Sequence, residues 1–317
     1  MKKTTFLLLL VCYPGIAPGQ NYPYKPIRVV TAGVAGGSDF VARLLAPGLS
    51  GALGQQVVVE NRGGAGGVIA AQTAAKATPD GYTLLLYSGS LYILPLLQEH
   101  VPYDAVRDFA PISLLSSAPN ILVAHPSLPV KSVRDLLALA KARPGELNYG
   151  SGGMASAPHL AAELFKSMAR VNIAHILYKG TGGVLTALVG GEVQLAFPSA
   201  GTVTPQIKAG KLRGLAVTSL QPSALAPGMP TVAASGLPGY ESASVYALFA
   251  PAGTPAAVIS RLHAETVRAL SRPETKTLFL NAGVETVGGS PDELAATIKA
   301  EILKWGKVIR EAGIRNG

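Results

Sequence analysis

The residues of this chain with the clearest chemical meaning are backbone amides and short hydroxyls, gathered at glycine-rich turns. Val29-Val30-Thr31-Ala32-Gly33-Val34-Ala35-Gly36-Gly37-Ser38-Asp39 is the first such turn, and Tyr149-Gly150-Ser151-Gly152-Gly153-Met154-Ala155-Ser156 is the clearest of the later ones. Each reads as a strand running into a turn that opens a helix. A helix start exposes unpaired N–H groups and a partial positive charge, so it holds an anion without Arg or Lys. Several such starts facing one cleft would receive a small carboxylate. Ser151, Ser156 and Thr181 add hydroxyls that donate at low entropic cost. Lys179, in Tyr178-Lys179-Gly180-Thr181-Gly182-Gly183, is the one cation beside a candidate anion site. Asp39 would repel an anionic ligand if bare, so the sequence assigns it to capping the helix or orienting the loop.

Each feature also has a purely structural account. Glycine allows close strand–helix packing, the hydroxyls can be ordinary caps, and Lys179 can be a solvated surface residue. For Asn61-Arg62-Gly63-Gly64-Ala65-Gly66-Gly67 the two accounts are evenly matched. Other chemistries lack their residues. The G-x-G-x-x-G and G-x-x-x-x-G-K-[ST] spacings do not occur, nor do G-x-S-x-G and H-E-x-x-H. Five histidines (His100, His125, His159, His175 and His263) are dispersed with no carboxylate at ligand spacing, so no metal or cofactor is expected. His159, opening a helix after Pro158, is a candidate ligand-side polar group or a packing residue.

Composition bounds the molecule. At 317 residues, 48% hydrophobic and 14% charged, the chain buries an ample core, and its length suits two lobes. Met1-Lys2-Lys3, the apolar run Phe6 to Val11 and the small residues Ala17 and Gly19 have the layout of a signal peptide over residues 1–19, cleaved between Ala17 and Gln20. The expected location is therefore periplasmic. Cys12, the only cysteine, lies inside that leader behind Val11, a poor residue for a lipoprotein anchor. A mature chain without thiols suits an oxidising compartment. The formal charge of +9 includes Lys2 and Lys3. The remaining cations are scattered singly with no aromatic interleaving, which argues against nucleic acid.

The elements that position the turns follow from periodicity. Strands are expected at 27–30, 57–60, 82–87, 120–124, 148–150, 173–177, 193–197, 215–218 and 243–250. Helices are expected after Ser38-Asp39, at 68–77, after Ser132, and at about 157–169, 183–190 and 203–210. An interior proline costs about 3 kcal/mol, so the first helix is expected to break or kink at Pro47. Thr254-Pro255 and Ser290-Pro291-Asp292-Glu293 read as a hydroxyl cap followed by proline at the first helical position. Repeated strand, glycine turn and helix predict a parallel sheet with helices on its faces. Strands near Asn120 and Tyr246 bracket the second set, so the chain leaves one lobe and returns across a hinged cleft. No internal sequence repeat is evident.

Nearly the whole mature chain resembles the extracytoplasmic receptors of tripartite tricarboxylate transporters, the Bug-type solute-binding proteins. The matching pieces include Pro26-Ile27-Arg28, Gly36-Gly37-Ser38-Asp39 with Ala42-Arg43, and Val57-Val58-Val59-Glu60-Asn61-Arg62 with Gly64-Ala65-Gly66-Gly67. Further matches are Pro79-Asp80-Gly81-Tyr82-Thr83-Leu84, Asp108-Phe109-Ala110-Pro111, Tyr178-Lys179-Gly180, Gly210-Lys211-Leu212-Arg213 and Lys304-Trp305. The resemblance implies an α/β, two-lobed periplasmic-binding-protein fold, type II-like. Each lobe would be a mixed, mainly parallel sheet flanked by helices, hinged by two crossover strands. Lobe 1 would be 20–122 plus 246–317, and lobe 2 would be 123–245. It implies a non-enzymatic, monomeric receptor that hands a small carboxylate to membrane permease subunits. A sensory role at a two-component kinase is the alternative. An exported hydrolase ranks last, because the sequence shows no nucleophile–base pair.

Carried over onto this chain, the ligand contacts implied are Gly36, Gly37, Ser38 and Asp39 on one lobe, and Ser151, Ser156, Tyr178, Lys179 and Thr181 on the other. Ser88 and Ser199, at two further strand ends, complete the candidate set. Two departures matter. Gly33-Val34-Ala35-Gly36 lacks the family's prolines, and Pro198-Ser199-Ala200-Gly201 stands where an acid and an amide often follow the strand. Loss of that acid disfavours an amino-acid ligand and favours a plain carboxylate, with Tyr87 and Tyr92 as a possible aromatic wall.

Overall fold

The computed structural model describes residues 22–34, 37–64, 67–98, 100–153, 156–178 and 180–314. The expected signal peptide, together with Gly36 and Lys179, lies outside the described residues. Two mixed sheets organise the molecule, each covered by helices on both faces. The first contains β1 (Ile27–Thr31), β2 (Val57–Asn61), β3 (Thr83–Ser88), β4 (Phe109–Pro119), β10 (Ala243–Pro251) and β11 (Glu285–Gly289), in the order β11-β4-β10-β3-β1-β2. The second contains β5 (Ile121–Ala124), β6 (Asn148–Ser151), β7 (Ala174–Leu177), β8 (Leu195–Ala196) and β9 (Arg213–Val217), in the order β7-β6-β8-β5-β9.

Double-sided burial explains why β3 reads as a continuous apolar run. Leu84 and Leu86 enter one face's core, while Leu85 and Tyr87 enter the other. Helices α1 (Gly37–Leu53), α2 (Val68–Ala75) and α3 (Ser90–Leu97) link and follow the first three strands. In the second lobe, α4 (Val133–Ala142) precedes β6, and α5 (Ala157–Ala169), α6 (Gly180–Val189) and α7 (Ala200–Lys208) follow β6, β7 and β8. Helices α8 (Ala256–Ser271), α9 (Pro273–Asn281) and α10 (Pro291–Ala312) complete the chain.

Both lobes carry the same topological unit. Strand β1 lies between its parallel neighbours β2 and β3, and β6 lies between its parallel neighbours β7 and β8. Successive connections thus leave on opposite sides of β1 and of β6, which makes a switch point in each lobe. Beyond these units the sheets are not mainly parallel. Strand β10 runs antiparallel to β3 and β4, β11 to β4, and β5 to β8 and β9. Strands that enter or leave a lobe supply these pairings.

The crossings meet in a buried knot. Only Asn120 separates β4 from β5. Its N–H donates to Thr218 Oγ1 at 2.8 Å, and Thr218 N–H returns a bond to the Asn120 carbonyl at 2.9 Å. Ser242 N–H donates to the Thr218 carbonyl at 2.9 Å, just before β10 re-enters the first sheet. A third connection is helical. Leu294 and Ile298 of α10 pack in the first lobe, whereas Trp305, Val308 and Ile309 pack in the second lobe's core.

Several local expectations resolve differently. Helix α1 runs through Pro47 without a break. Pro47 is exposed, and Ser50 Oγ donates to the Ala46 carbonyl at 2.7 Å alongside it. Thr254 does not cap α8; its hydroxyl donates to the Pro251 carbonyl at 2.8 Å, and Pro255 occupies the cap. Ser290 and Glu293 form a full capping box on α10, and Ser132 caps α4 by accepting from Asp135 N–H. Helices α6 and α7 each start three residues earlier than periodicity suggests.

Candidate functional site

Parallel strands β1, β2 and β3 end at one edge of their sheet, where α1, α2 and α3 begin. Strands β6 and β8 end likewise at the starts of α5 and α7, with β7 leading into α6. Every candidate residue chosen from the sequence belongs to one of these strand ends. Helix N-termini therefore gather at the two switch points, where open α/β sheets bind ligands.

On the first lobe, Gly37 opens α1 against a tyrosine. A methyl group on Gly37 would lie 2.0 Å from the Tyr246 hydroxyl, so no larger residue fits without displacing that ring. The same device recurs at the second turn, where a methyl on Gly67 would lie 1.8 Å from the Tyr87 hydroxyl. At the third, a methyl on Gly89 would lie 2.9 Å from the Tyr92 hydroxyl. Three tyrosines thus stand behind three glycine turns. Ser38 is buried in the first turn of α1. Asp39, 3% exposed, is an organising residue: its Oδ1 accepts from Arg43 Nε at 2.9 Å and from Asn61 Nδ2 at 2.8 Å. Asn61 also donates to the Ala32 carbonyl at 3.2 Å, tying the first two turns together.

On the second lobe, the hydroxyls are already employed. Ser156 caps α5 by accepting from His159 N–H and donates to the Gly153 carbonyl at 2.8 Å. Ser151, fully buried, lies 2.7 Å from His175 Nε2 and directs its proton to Gly153 at 3.3 Å. This is a Ser–His pair that the sequence did not reveal, since the partners are 24 residues apart. Ser151 is buried and His175 partly so, and the pair helps shape the turn. Tyr178 rests its ring against Gly150 and Gly183, while Thr181 is exposed in the first turn of α6. Ser199 precedes α7 and shares a 2.6 Å bond with Thr202 Oγ1.

Behind Ser151 lies a buried polar stack. The rings of Tyr149 and His175 are 4.8 Å apart and those of His175 and His159 are 4.5 Å apart. Tyr149 OH donates to Glu163 Oε1 at 2.6 Å, and Lys166 Nζ donates to the same oxygen at 2.6 Å. Burial, then the neighbouring His175, push His159 down to about 4. Burial also lowers His175, with Glu163 opposing. Both rings are therefore neutral at pH 7, and no cation is contributed to the turn.

Between the lobes is a cavity with about 130 Å³ of room. Its walls include Ser88, Tyr92 and Tyr246 from the first lobe, Leu160 from α5, and Glu301 with Trp305 from α10. Tyr246 is directly opposite Ser88 in the β10–β3 pairing, so the cavity adjoins the first and third glycine turns at once. Tyr92 supplies part of the aromatic wall anticipated for it, but Tyr87 is buried behind Gly67 instead. Glu301, Trp305 and Tyr246 were not singled out as site residues from sequence. Trp305 appeared there only as part of a family motif.

The chain matches the family model described as the tripartite tricarboxylate transporter family receptor over residues 41–314. It is 37% identical to protein BugT of Bordetella pertussis over 313 residues, covering 97% of this chain and 96% of that protein. Among solved structures, an R. palustris protein with adipate superimposes with a TM-score of 0.75 at 36% identity, covering 93% of this chain and 99% of that one. MatC from Rhodopseudomonas palustris, with bound malate, superimposes with a TM-score of 0.71 at 29% identity, covering 91% of this chain and all of that one.

Proposed function

This chain belongs to the tripartite tricarboxylate transporter receptor family, and from that premise we propose that it captures a small carboxylate between its lobes and delivers it to membrane permease subunits. One observation carries the reading: helix N-termini with glycine and hydroxyl turns gather at the switch points of both lobes. Amides of the Gly37–Asp39 turn grip the carboxylate from the first lobe, helped by the adjoining Gly36. The α5, α6 and α7 starts complete the grip, with Tyr178, Lys179, Thr181 and Ser199 at their approaches. Asp39, Ser151 and Ser156 hold the turns in shape. Solute binding favours closure about the Asn120–Thr218–Ser242 knot, a hinge motion. Members of this family are substrate-binding proteins and not enzymes. The adipate and malate bound by the two R. palustris proteins support a carboxylate ligand. The periplasmic neighbours and the N-terminal leader support export through a cleaved signal, and we propose that the mature receptor works as a monomer.

Thermal unfolding of the mature protein with a panel of three- to eight-carbon organic acids tests the reading. A ligand at about 100 times its Kd stabilises the fold by about 2.7 kcal/mol, so at least one acid is expected to raise the melting temperature and to give a matching calorimetric isotherm. No response to any acid at millimolar concentration would overturn it. Crosslinking of the liganded receptor to permease-containing membranes tests delivery.

A further inference from the structure

The interlobe cavity has an unusual floor for a carboxylate receptor, because one of its walls is itself a carboxylate. Glu301 projects from α10 beside Trp305, whose Nε1 donates to Glu301 Oε2 at 2.6 Å. Lys304 pairs with Glu301 Oε1 but does not line the cavity; its Nζ is drawn to the Glu241 carbonyl at 3.1 Å, on an adjoining groove. The negative end of the pair is therefore the part presented inward. The Tyr92 hydroxyl registers this: its proton is held more tightly, first by burial and then by the Glu301 charge.

Around Glu301 stand hydroxyls that face the cavity without a protein partner among the described residues. Ser242 is 3% exposed and Tyr92 4% exposed, both line the cavity, and neither hydroxyl has a partner among the described residues. The Tyr246 hydroxyl, packed on Gly37 at the other end, is likewise unpartnered among those residues. These hydroxyls are open to the cavity and not sealed in protein, so a solute or water can bond them there. The remaining walls are apolar, including Leu160, Ile93 and Val245.

We propose that this cavity is the subsite for the far end of the solute, and that Glu301 makes it select an uncharged hydroxylated end over a second carboxylate. The inference rests on the receptor reading above, which assigns the carboxylate to the glycine turns. A solute anchored there extends past Tyr246 and Ser88 into the cavity. A terminal hydroxyl donates toward Glu301 and accepts from Tyr92 or Ser242. A terminal carboxylate also accepts from those hydroxyls, but it meets the partly exposed Glu301 carboxylate, and like charges repel.

The test uses two six-carbon probes, 6-hydroxyhexanoate and adipate, titrated calorimetrically into the full mature chain. The hydroxy acid is expected to bind at least about tenfold more tightly. In Glu301→Gln, which keeps an acceptor for Trp305, that preference is expected to shrink at least about fivefold, chiefly because adipate binding improves. Tyr92→Phe, which keeps the ring, is expected to weaken both acids, and the hydroxy acid more, because the repelled carboxylate bonds that hydroxyl less closely. Equal or tighter binding of adipate to the wild-type protein, or a preference unaltered in both variants, overturns the subsite. If no acid in the wider panel binds, the receptor reading itself falls and the subsite with it. Binding without discrimination removes the subsite alone.

Discussion

Acidification should weaken this fold by a calculable amount through His159. In the unfolded chain a histidine titrates near 6.5, whereas in the fold His159 is held at about 4, by burial first and by His175 second. Below pH 6.5 the unfolded chain takes up a proton that the folded chain refuses. The His159 contribution is therefore complete above about pH 7.5, is lost as pH drops from 6.5 to 4, and changes no further below that. A depression of about 2.5 units corresponds to about 3 kcal/mol, which partial solvent screening reduces to about 2. His175 adds in the same direction, since burial lowers it too, while Glu163 draws both rings toward the charged form. The assay is urea unfolding at pH 7.5 and pH 4.5 for wild type and His159→Phe, which preserves a ring to stack on His175 at 4.5 Å. The wild-type protein is expected to lose about 2 kcal/mol more than the variant across that interval. Parallel losses would show that His159 titrates normally and refute the reasoning.

Two of the three tyrosine-backed glycines should fail for different reasons. Gly37→Ala forces a methyl against the Tyr246 hydroxyl at 2.0 Å, an overpacking cost of about 1–3 kcal/mol, and adding Tyr246→Phe should recover part of it in thermal unfolding. Gly67→Ala adds strain at φ 97° to a 1.8 Å clash with Tyr87, so Tyr87→Phe should recover little. Glu285 Oε1 accepts from Ala224 N–H at 2.7 Å and from Ser223 Oγ at 3.1 Å, joining β11 to the second lobe's segment after β9. Glu285→Ala should cost about 1–2 kcal/mol and widen the distance distribution between spin labels on the two lobes; an unchanged distribution would mean the contact does not hold the lobes. Ser290→Ala removes the α10 capping box and should cost about 1 kcal/mol in urea unfolding.

Much of the fold was legible because its signals are local. The turn after β1, the Ser290 capping box and the apolar run of β3 each declare themselves within a few residues. Two strands were missed for a physical reason. Strand β4 carries Pro111 and Pro119 and sets Ser113, Ser116 and Ser117 with no period of two, so it reads as broken; its pairing comes from β10 and β11, more than 120 residues away. Strand β11 is a short edge strand containing Gly288 and Gly289, with little propensity of its own. The shared unit of the two lobes was invisible as a repeat because it is a repeat of connection order. Glycine and serine recur at the strand ends without a common spacing.

The candidate site divides along the same line. Residues on the strand-end turns could be chosen from sequence, because the anion chemistry of a helix start belongs to the turn itself. What those residues do there was not legible. Ser151 and Ser156 read as ligand donors, and the fold adds His175 and the Gly153 carbonyl as their protein partners. Asp39 was read as a loop-orienting residue by charge alone, and its partners Arg43 and Asn61 needed the fold to be named. The cavity floor is the extreme case. Glu301 and Trp305 sit at adjoining turns of a helix whose other residues serve two different cores, more than 200 residues beyond Ser88. Nothing in their own neighbourhood distinguishes them from a surface ion pair and a packing tryptophan. Only α10 crossing from one lobe to the other brings a carboxylate to the bottom of an anion receptor. That crossing also means solute contacts at Glu301 are felt in both cores, so selectivity at the floor and the energetics of closure share one helix.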